Sequence, residues 1–140
     1  MGKIIGYTTG VFDMFHAGHL NILHKASQQC DSLIVGVSTD ELCLSYKGHL
    51  PIIPFEERCS IVQAIRFVDC VVPQTNRDKY LAWKEIGFNK LFVGDDWKGS
   101  PLFEELEDKF RSKNVELIYI PYTQHISSTI LRNRILKYNK

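Results

Sequence analysis

Five short runs of β-branched and aromatic residues recur along this chain, separated by stretches with helical spacing. Runs of this length and composition are typical of buried strands. The alternation of such runs with helices predicts an α/β fold, in which a doubly wound, five-stranded parallel sheet is covered on both faces. The predicted strands occupy residues 3–9, 32–39, 69–73, 90–95 and 115–121, and the predicted helices occupy residues 17–29, 54–68, 77–87, 102–113 and 128–138.

The length of 140 residues suits one hydrophobic core, so residues 1–140 are predicted to form a single domain. In a sheet of this kind, ligands bind beyond the carboxyl ends of the strands, where the strand order reverses. The polar stretches that follow the strands are therefore the places where a site is expected. The least regular stretch, "ELCLSYKGHLPII" at residues 41–53, is expected to be a mobile loop over that site.

The charge balance limits the possible partners. The chain has 17 Lys and Arg against 16 Asp and Glu, which gives a formal charge of +1. This balance argues against electrostatic binding of nucleic acid or of an anionic membrane over a large surface. No stretch approaches the roughly 20 apolar residues of a membrane span. The four cysteines form no CxxC pair, so reduced core thiols in a cytoplasmic protein are expected. A small ligand is the partner that fits.

The stretch "TGVFDMFHAGHL", residues 9–20, follows the first predicted strand directly and leads into a helix. A turn there exposes backbone N–H groups beside a helix start, which makes an anion site. His16 and His19 are three residues apart, so both rings can face one side, and Gly18 between them leaves room for a phosphate. Two surface histidines are the plain alternative. The position after a glycine turn favours a pair that stabilises charge in phosphoryl or nucleotidyl transfer.

The segment "GVFDMFHAGH" closely resembles the GxFDxxHxGH signature of the cytidylyltransferases, members of the HxGH nucleotidyltransferase superfamily. The resemblance continues, in the same order, through "STDE" (38–41), "EER" (56–58), "IRFVD" (65–69) and "GDDWKG" (94–99). By length and by the last motif, the chain is most similar to the small bacterial glycerol-3-phosphate cytidylyltransferases. The resemblance implies a Rossmann-like nucleotidyltransferase domain that makes CDP-glycerol from CTP and glycerol 3-phosphate.

The same resemblance implies a homodimer that uses a divalent cation, usually Mg²⁺, held mainly by the triphosphate rather than by protein ligands. It also implies roles for individual residues near the phosphates. His16 and His19 would stabilise the transition state, and Lys47, Arg58 and Arg66 would reach toward phosphate groups. The backbone that binds phosphate would be that of Thr9, Gly10, Val11 and Phe12, with Asp13 as the turn aspartate.

Two later segments complete the predicted nucleotide site. Asp95 and Asp96 follow the fourth strand and could accept hydrogen bonds from ribose or base, and Trp97 could flank the nucleotide. A plain strand-end turn is the alternative for this segment. The hydroxyls and amides of three residues at the start of the last helix could hold a triphosphate. These are Ser127, Ser128 and Thr129.

The chain departs from the family pattern just before that helix. Cytidylyltransferases usually read "RTEGISTT", whereas Tyr122, Gln124 and His125 stand at the Arg, Glu and Gly positions. The Tyr122 change removes a fixed positive charge, which Arg132 or Arg134 could replace. The segment "ISSTILR" is also similar to adenylyltransferases. ATP therefore remains an alternative to CTP as the nucleotide. Two alternatives to CDP-glycerol synthesis therefore remain: transfer to another small phosphate or phosphonate, and a nucleotide-binding module without activity.

Overall fold

The fold is described from a computed structural model that covers residues 2–138, so the terminal residues 1, 139 and 140 of the predicted domain lie outside the described part. Its centre is a five-stranded sheet in the order β3-β2-β1-β4-β5, with every neighbouring pair parallel. The five strands are β1 (Ile5–Gly10), β2 (Ser32–Ser38), β3 (Cys70–Gln74), β4 (Lys90–Gly94) and β5 (Glu116–Ile120). The predicted five-stranded parallel sheet is confirmed.

Within residues 2–138, six α-helices connect or follow the strands, and most have recognisable capping residues. Thr39, Asp78 and Ser100 each accept a backbone N–H of the helix that they precede. Gly48 and Gly87 end two helices with φ of 79° and 75°, which suits glycine. The helices are α1 (Ala17–Ser27), α2 (Asp40–Lys47), α3 (Phe55–Gln63), α4 (Lys79–Ile86), α5 (Pro101–Arg111) and α6 (Ser128–Tyr138).

The two faces of the sheet carry separate hydrophobic clusters. On one face, Leu23 of α1 and Val62 of α3 pack with strand residues such as Val35. On the other face, Phe110 of α5 packs with Tyr7 of β1, and helix α4 contributes partly buried side chains. Helices therefore cover both faces, as a doubly wound sheet requires.

The strand order reverses at β1. The chain moves from β1 to β2 and β3 on one side, then crosses back to place β4 and β5 on the other side. The carboxyl ends of β1 and β4 consequently lie side by side while the segments that leave them diverge to opposite faces. This divergence opens a crevice at the edge where ligands bind in such sheets.

Three expectations from the sequence need correction. Residues 41–53 are not simply a loop, because residues 40–47 form α2, with the Thr39 cap at one end and Gly48 at the other. The helix predicted to reach residue 68 ends at Gln63. Of the four cysteines, only Cys43 is buried, although all four are unpaired thiols. None of the helices in the described part of the chain has the length and apolar character that a membrane span requires.

Candidate active site

A cavity of about 780 Å³ lies at the carboxyl edge of the sheet where the strand order reverses. Four strands contribute their last residues to its wall: Thr9 and Gly10 from β1, Ser38 from β2, Gln74 from β3 and Gly94 from β4. This is where the topology of the sheet predicts a ligand. The cavity also contains many of the residues that the sequence pointed to, namely Thr9, Gly10, Val11, Phe12, His19, Lys47, Asp96 and Trp97.

The two histidines are fixed by backbone hydrogen bonds at the start of α1. The Gly18 N–H donates to Nδ1 of His16 at 3.0 Å, and the His16 N–H donates to Nδ1 of His19 at 3.2 Å. An Nδ1 atom that accepts carries no proton, so in each neutral ring the proton resides on Nε2. The rings stack with centroids 3.8 Å apart. The helix start therefore fixes the tautomer that makes each Nε2 a hydrogen-bond donor.

Burial keeps both rings neutral. It lowers the pKa of His16, and it lowers the pKa of His19 to about 3, with the nearby His16 adding to the effect and Asp13 opposing it. Within residues 2–138, Nε2 of His16 is a buried polar atom that has no hydrogen-bond partner. A buried donor left unpaired costs free energy, and a phosphate oxygen would satisfy it.

The turn before α1 holds strained backbone. Phe12 and Met14 adopt φ of 56° and 48°, a region that residues with a side chain seldom occupy. A Cβ at Gly18 would clash with the ring of His16 and contact Ile126, so the absence of a side chain there makes room for the histidine ring.

Lys79 is a cationic residue of this pocket that sequence reasoning missed. It is the first residue of α4, and its Nζ donates to Oγ1 of Thr9 at 2.9 Å. Burial lowers the pKa of Lys79 to about 8, with the positive charge of Arg77 adding to the shift and Asp78 opposing it. The available signal was its position, because "TNRDK" follows β3 at the edge of the sheet where ligands bind in such folds.

Other cations lie on the same side of the pocket. Lys47, the last residue of α2, and Arg77, from the segment after β3, both line the wall, and the guanidinium of Arg77 lies 4.4 Å from the Tyr46 ring centre. This side, which follows β2 and β3, is therefore basic. The opposite side, which follows β4 and β5, presents Asp96, Trp97 and Tyr122.

A smaller recess of about 140 Å³ shares four wall residues with the main cavity: Val11, Phe12, His19 and Lys47. Ser128 and Arg132 of α6 line it, as does Asp13. Asp13 is buried and serves as a structural anchor, because its carboxylate accepts the Ile52 and Ile53 N–H groups at 2.8 and 2.9 Å. Its backbone oxygen accepts the Ser128 hydroxyl at 2.6 Å, and Arg132 lies 3.6 Å from its carboxylate.

Arg58 was predicted to reach the phosphates, but its guanidinium is fully buried and occupied by protein acceptors. It pairs with Asp40 at 2.6 Å. Its Nη1 donates to the carbonyls of Val11 and Ser38 at 2.7 and 2.8 Å, and its Nε donates to the carbonyl of Ile53 at 2.8 Å. Arg58 therefore braces the segments that form the pocket and does not line it.

Arg66 is likewise not brought to the pocket. It follows the end of α3 and precedes β3, at the amino edge of the sheet, and its exposed guanidinium lies 5.1 Å from the Phe67 ring centre. The pocket opens at the carboxyl edge. Within one chain, Arg66 is therefore on the wrong side of the sheet for the phosphate contact that was predicted.

The segment after β4 forms a short 3-10 turn, Asp95–Trp97, in which Asp96 and Trp97 line the cavity and Asp95 does not. Trp97 is 5.2 Å from the Phe103 ring centre. Tyr122 covers the end of β4 so closely that a Cβ at Gly94 would overlap its ring. Burial and the adjacent Asp96 raise the pKa of Tyr122 to about 12, so its hydroxyl stays neutral.

At the start of α6, only Ser128 of the three predicted residues reaches a recess. Ser127 accepts the Ile130 N–H at 3.0 Å and so caps the helix. Thr129 is exposed, and its hydroxyl lies 3.3 Å from Nη2 of Arg132. Of the two arginines proposed to replace the family arginine, Arg132 lines the smaller recess, whereas Arg134 lies on the exposed surface.

A metal ion held by the protein alone needs several ligand side chains close together. Within residues 2–138, no three His, Cys, Asp or Glu side chains lie close enough together to hold one. This distribution does not fit a cation cage made by the protein alone. Mg²⁺ is often bound by substrate phosphates with few protein ligands, which such a pocket would permit.

Comparison with known proteins agrees with this geometry. The profile of the cytidylyltransferase-like family matches residues 7–134. The chain is 36% identical over 136 residues to a glycerol-3-phosphate cytidylyltransferase of Bacillus subtilis (strain 168), covering 96% of this chain and 98% of that protein. It is 39% identical over 123 residues to an FAD synthase of Pyrococcus horikoshii, covering 86% and 82%.

Among solved structures, a lipopolysaccharide core biosynthesis protein from Thermoplasma volcanium superposes with a TM-score of 0.73 at 24% identity. The alignment covers 89% of this chain and all of that one. At this level of identity, the similarity supports the fold alone.

Proposed function

The chain belongs to the cytidylyltransferase-like family, and from that premise we propose that it is a nucleotidyltransferase that converts CTP and glycerol 3-phosphate into CDP-glycerol and pyrophosphate. The observation that supports this proposal is the stacked histidine pair at the reversal of the strand order: His19 lines the basic pocket, His16 stacks on it from behind the lining, and backbone hydrogen bonds leave the proton of each neutral ring on Nε2. The near-complete match to a glycerol-3-phosphate cytidylyltransferase supports the choice of substrates.

The reaction needs no covalent intermediate with the protein. An oxygen of the acceptor phosphate forms a bond to the α-phosphorus of CTP, and the bond from that phosphorus to the bridging oxygen of the β-phosphate breaks. The electron pair leaves with pyrophosphate. Charge develops on the α-phosphate oxygens, where the neutral imidazoles of His16 and His19 would donate hydrogen bonds from Nε2.

The two sides of the pocket suit the two substrates. The basic side carries Lys47, Arg77 and Lys79, and it would hold the phosphate of the acceptor facing the histidines. The side with Asp96, Trp97 and Tyr122 offers an aromatic surface and a carboxylate for the base and ribose. The smaller recess, with Ser128 and Arg132, would take the departing pyrophosphate.

A divalent cation, which we propose to be Mg²⁺, would be bound by the triphosphate and would neutralise part of its charge.

We further propose that the 140-residue chain acts as one nucleotidyltransferase domain, in the cytoplasm and as a homodimer. The unpaired state of all four cysteines agrees with a reducing compartment. Light scattering of the purified protein measures the oligomeric state directly.

The first test is pyrophosphate release from CTP, Mg²⁺ and glycerol 3-phosphate. His16→Asn keeps a side-chain acceptor for the helix cap but removes the Nε2 donor, so it should lower kcat by about a hundredfold or more while the fold is retained. His24→Asn changes an exposed histidine of the same helix that does not line the pocket and is the matched control. Equal turnover by His16→Asn and wild type would rule out the mechanism.

The charge on Lys79 gives a second test. Because the pKa of Lys79 is lowered to about 8, its positive charge is present below that pH and is lost as the pH rises through it. kcat/KM for glycerol 3-phosphate should therefore fall above about pH 8, since this ratio reports the free enzyme. Lys79→Arg keeps its charge at every pH of the assay and should flatten the alkaline decline. An unchanged decline in that variant would remove Lys79 from acceptor binding.

A second candidate is adenylyl transfer. It is favoured by Tyr122 at the position of the family arginine and by the similarity to an FAD synthase, a name that implies an adenine-containing product. Replacing CTP by ATP in the same assay separates the two reactions. Nucleotide binding without pyrophosphate release from either nucleotide, across a panel of phosphorylated alcohols, would instead indicate a binding module.

A further inference from the structure

The main cavity does not end at Lys79. It continues between α4 and α5, where Tyr80, Leu102 and Leu106 form its walls. Glu105 and Lys109 line the same region from the polar side of α5, and Nζ of Lys109 lies 5.3 Å from the Tyr80 ring centre. We call this extension, lined by these five residues, the α4–α5 cleft.

Three of the five residues that line the α4–α5 cleft form an apolar wall, and this wall is incompletely covered. Leu106 and Tyr80 are partly buried against the hydrophobic cluster below them, whereas Leu102 is 65% exposed. A single exposed leucine is common on protein surfaces. Here, however, it continues an apolar wall that begins beside the proposed reaction centre, which is the arrangement of a ligand pocket.

Glycerol 3-phosphate has no apolar surface to match such a wall, because each of its carbons carries an oxygen. Lys79 begins α4 and Tyr80 follows it, so a phosphate held by Lys79 would have the rest of its molecule beside the cleft. We propose that the α4–α5 cleft binds the organic part of a phosphate monoester that is longer and more apolar than glycerol 3-phosphate. This inference rests on the proposed function, because it extends the acceptor class of the same site.

Monoalkyl phosphates of increasing chain length test the proposal. With saturating CTP and Mg²⁺, kcat/KM should rise by roughly tenfold from ethyl to hexyl phosphate, as expected for apolar contacts in a specificity pocket. Leu102→Asp should bring the hexyl-to-ethyl ratio close to one. Leu136→Asp is the matched control, since Leu136 is a similarly exposed helical leucine (61%) outside the cavity, and it should keep the wild-type ratio.

Two results would overturn the proposal. One is a ratio near one in the wild-type protein. The other is a Leu102→Asp variant in which KM for CTP rises equally with both acceptors, because this would place the nucleotide base in the cleft.

If no acceptor releases pyrophosphate, the proposed function fails, and calorimetric titration with ethyl and hexyl phosphate then decides the inference separately. Tighter binding of hexyl phosphate that Leu102→Asp abolishes would support the subsite. Equal binding of the two phosphates would overturn it.

Discussion

Arg58 braces the pocket through contacts that its neighbours cannot replace. Arg58→Ala would leave the Asp40 carboxylate without its 2.6 Å partner and the carbonyls of Val11 and Ser38 without a donor. Losing one member of a largely buried pair costs about 3 kcal/mol or more, because the remaining charge and carbonyls stay desolvated. Urea unfolding should show a decrease of that size in the free energy of unfolding.

The matched control for Arg58 is Arg111→Ala. Arg111 pairs with Asp108 at 3.0 Å, but both side chains are more than 70% exposed, so the loss should stay below about 1 kcal/mol. Similar losses in the two variants would show that Arg58 is no more structural than a surface arginine.

At the level of elements, Asp13 joins the turn after β1 to the segment between α2 and α3. Asp13→Asn replaces one acceptor oxygen by a donor, so only one of the Ile52 and Ile53 amides can remain bonded. We expect a loss of about 1–3 kcal/mol and faster hydrogen exchange at those two amides. Exchange measured residue by residue by NMR checks both.

Asp31→Asn is the control for local exchange. Asp31 accepts the Ile4 N–H at 2.7 Å at the opposite edge of the sheet, and the amide oxygen of the variant can still accept this single bond, so exchange at the Ile52 and Ile53 amides should stay at the wild-type rate. If Asp13→Asn left the Ile52 and Ile53 amides protected, these bonds would not hold the segment in place.

The strands could be predicted because each is a continuous run of β-branched and aromatic residues in a sheet that helices cover on both faces. Helix α2 could not, since only Cys43 of its eight residues is buried and its apolar residues Leu44 and Tyr46 are exposed. Its position depends on the Thr39 cap and on the hydrogen bond that Arg58, 18 residues away, donates to Asp40. A local hydrophobic period carries no information about such a contact.

For the molecule as a whole, the histidine pair was predictable, whereas residues brought in by topology were not. Lys79 and Thr9 are 70 residues apart and meet only because α4 starts at the carboxyl edge of the sheet. The spacing of Arg58 and Arg66 suggested a shared helical face, but α3 ends at Gln63, before Arg66. Since α3 runs from the carboxyl edge toward the amino edge, the two arginines lie toward opposite edges of the sheet.

The pH dependence of global stability follows from the environment of His19. Its pKa falls from an ordinary 6.5 to about 3 on folding, mainly because the ring is buried. Between these values the unfolded chain binds more protons than the folded one, so the stability present above pH 6.5 is lost as the pH falls toward 3. The contribution of His19 is at most about 1.4 kcal/mol for each pH unit. Urea unfolding between pH 7.5 and 4 should show a smaller decrease in His19→Asn than in wild type, whereas equal decreases would mean that His19 titrates alike in both states.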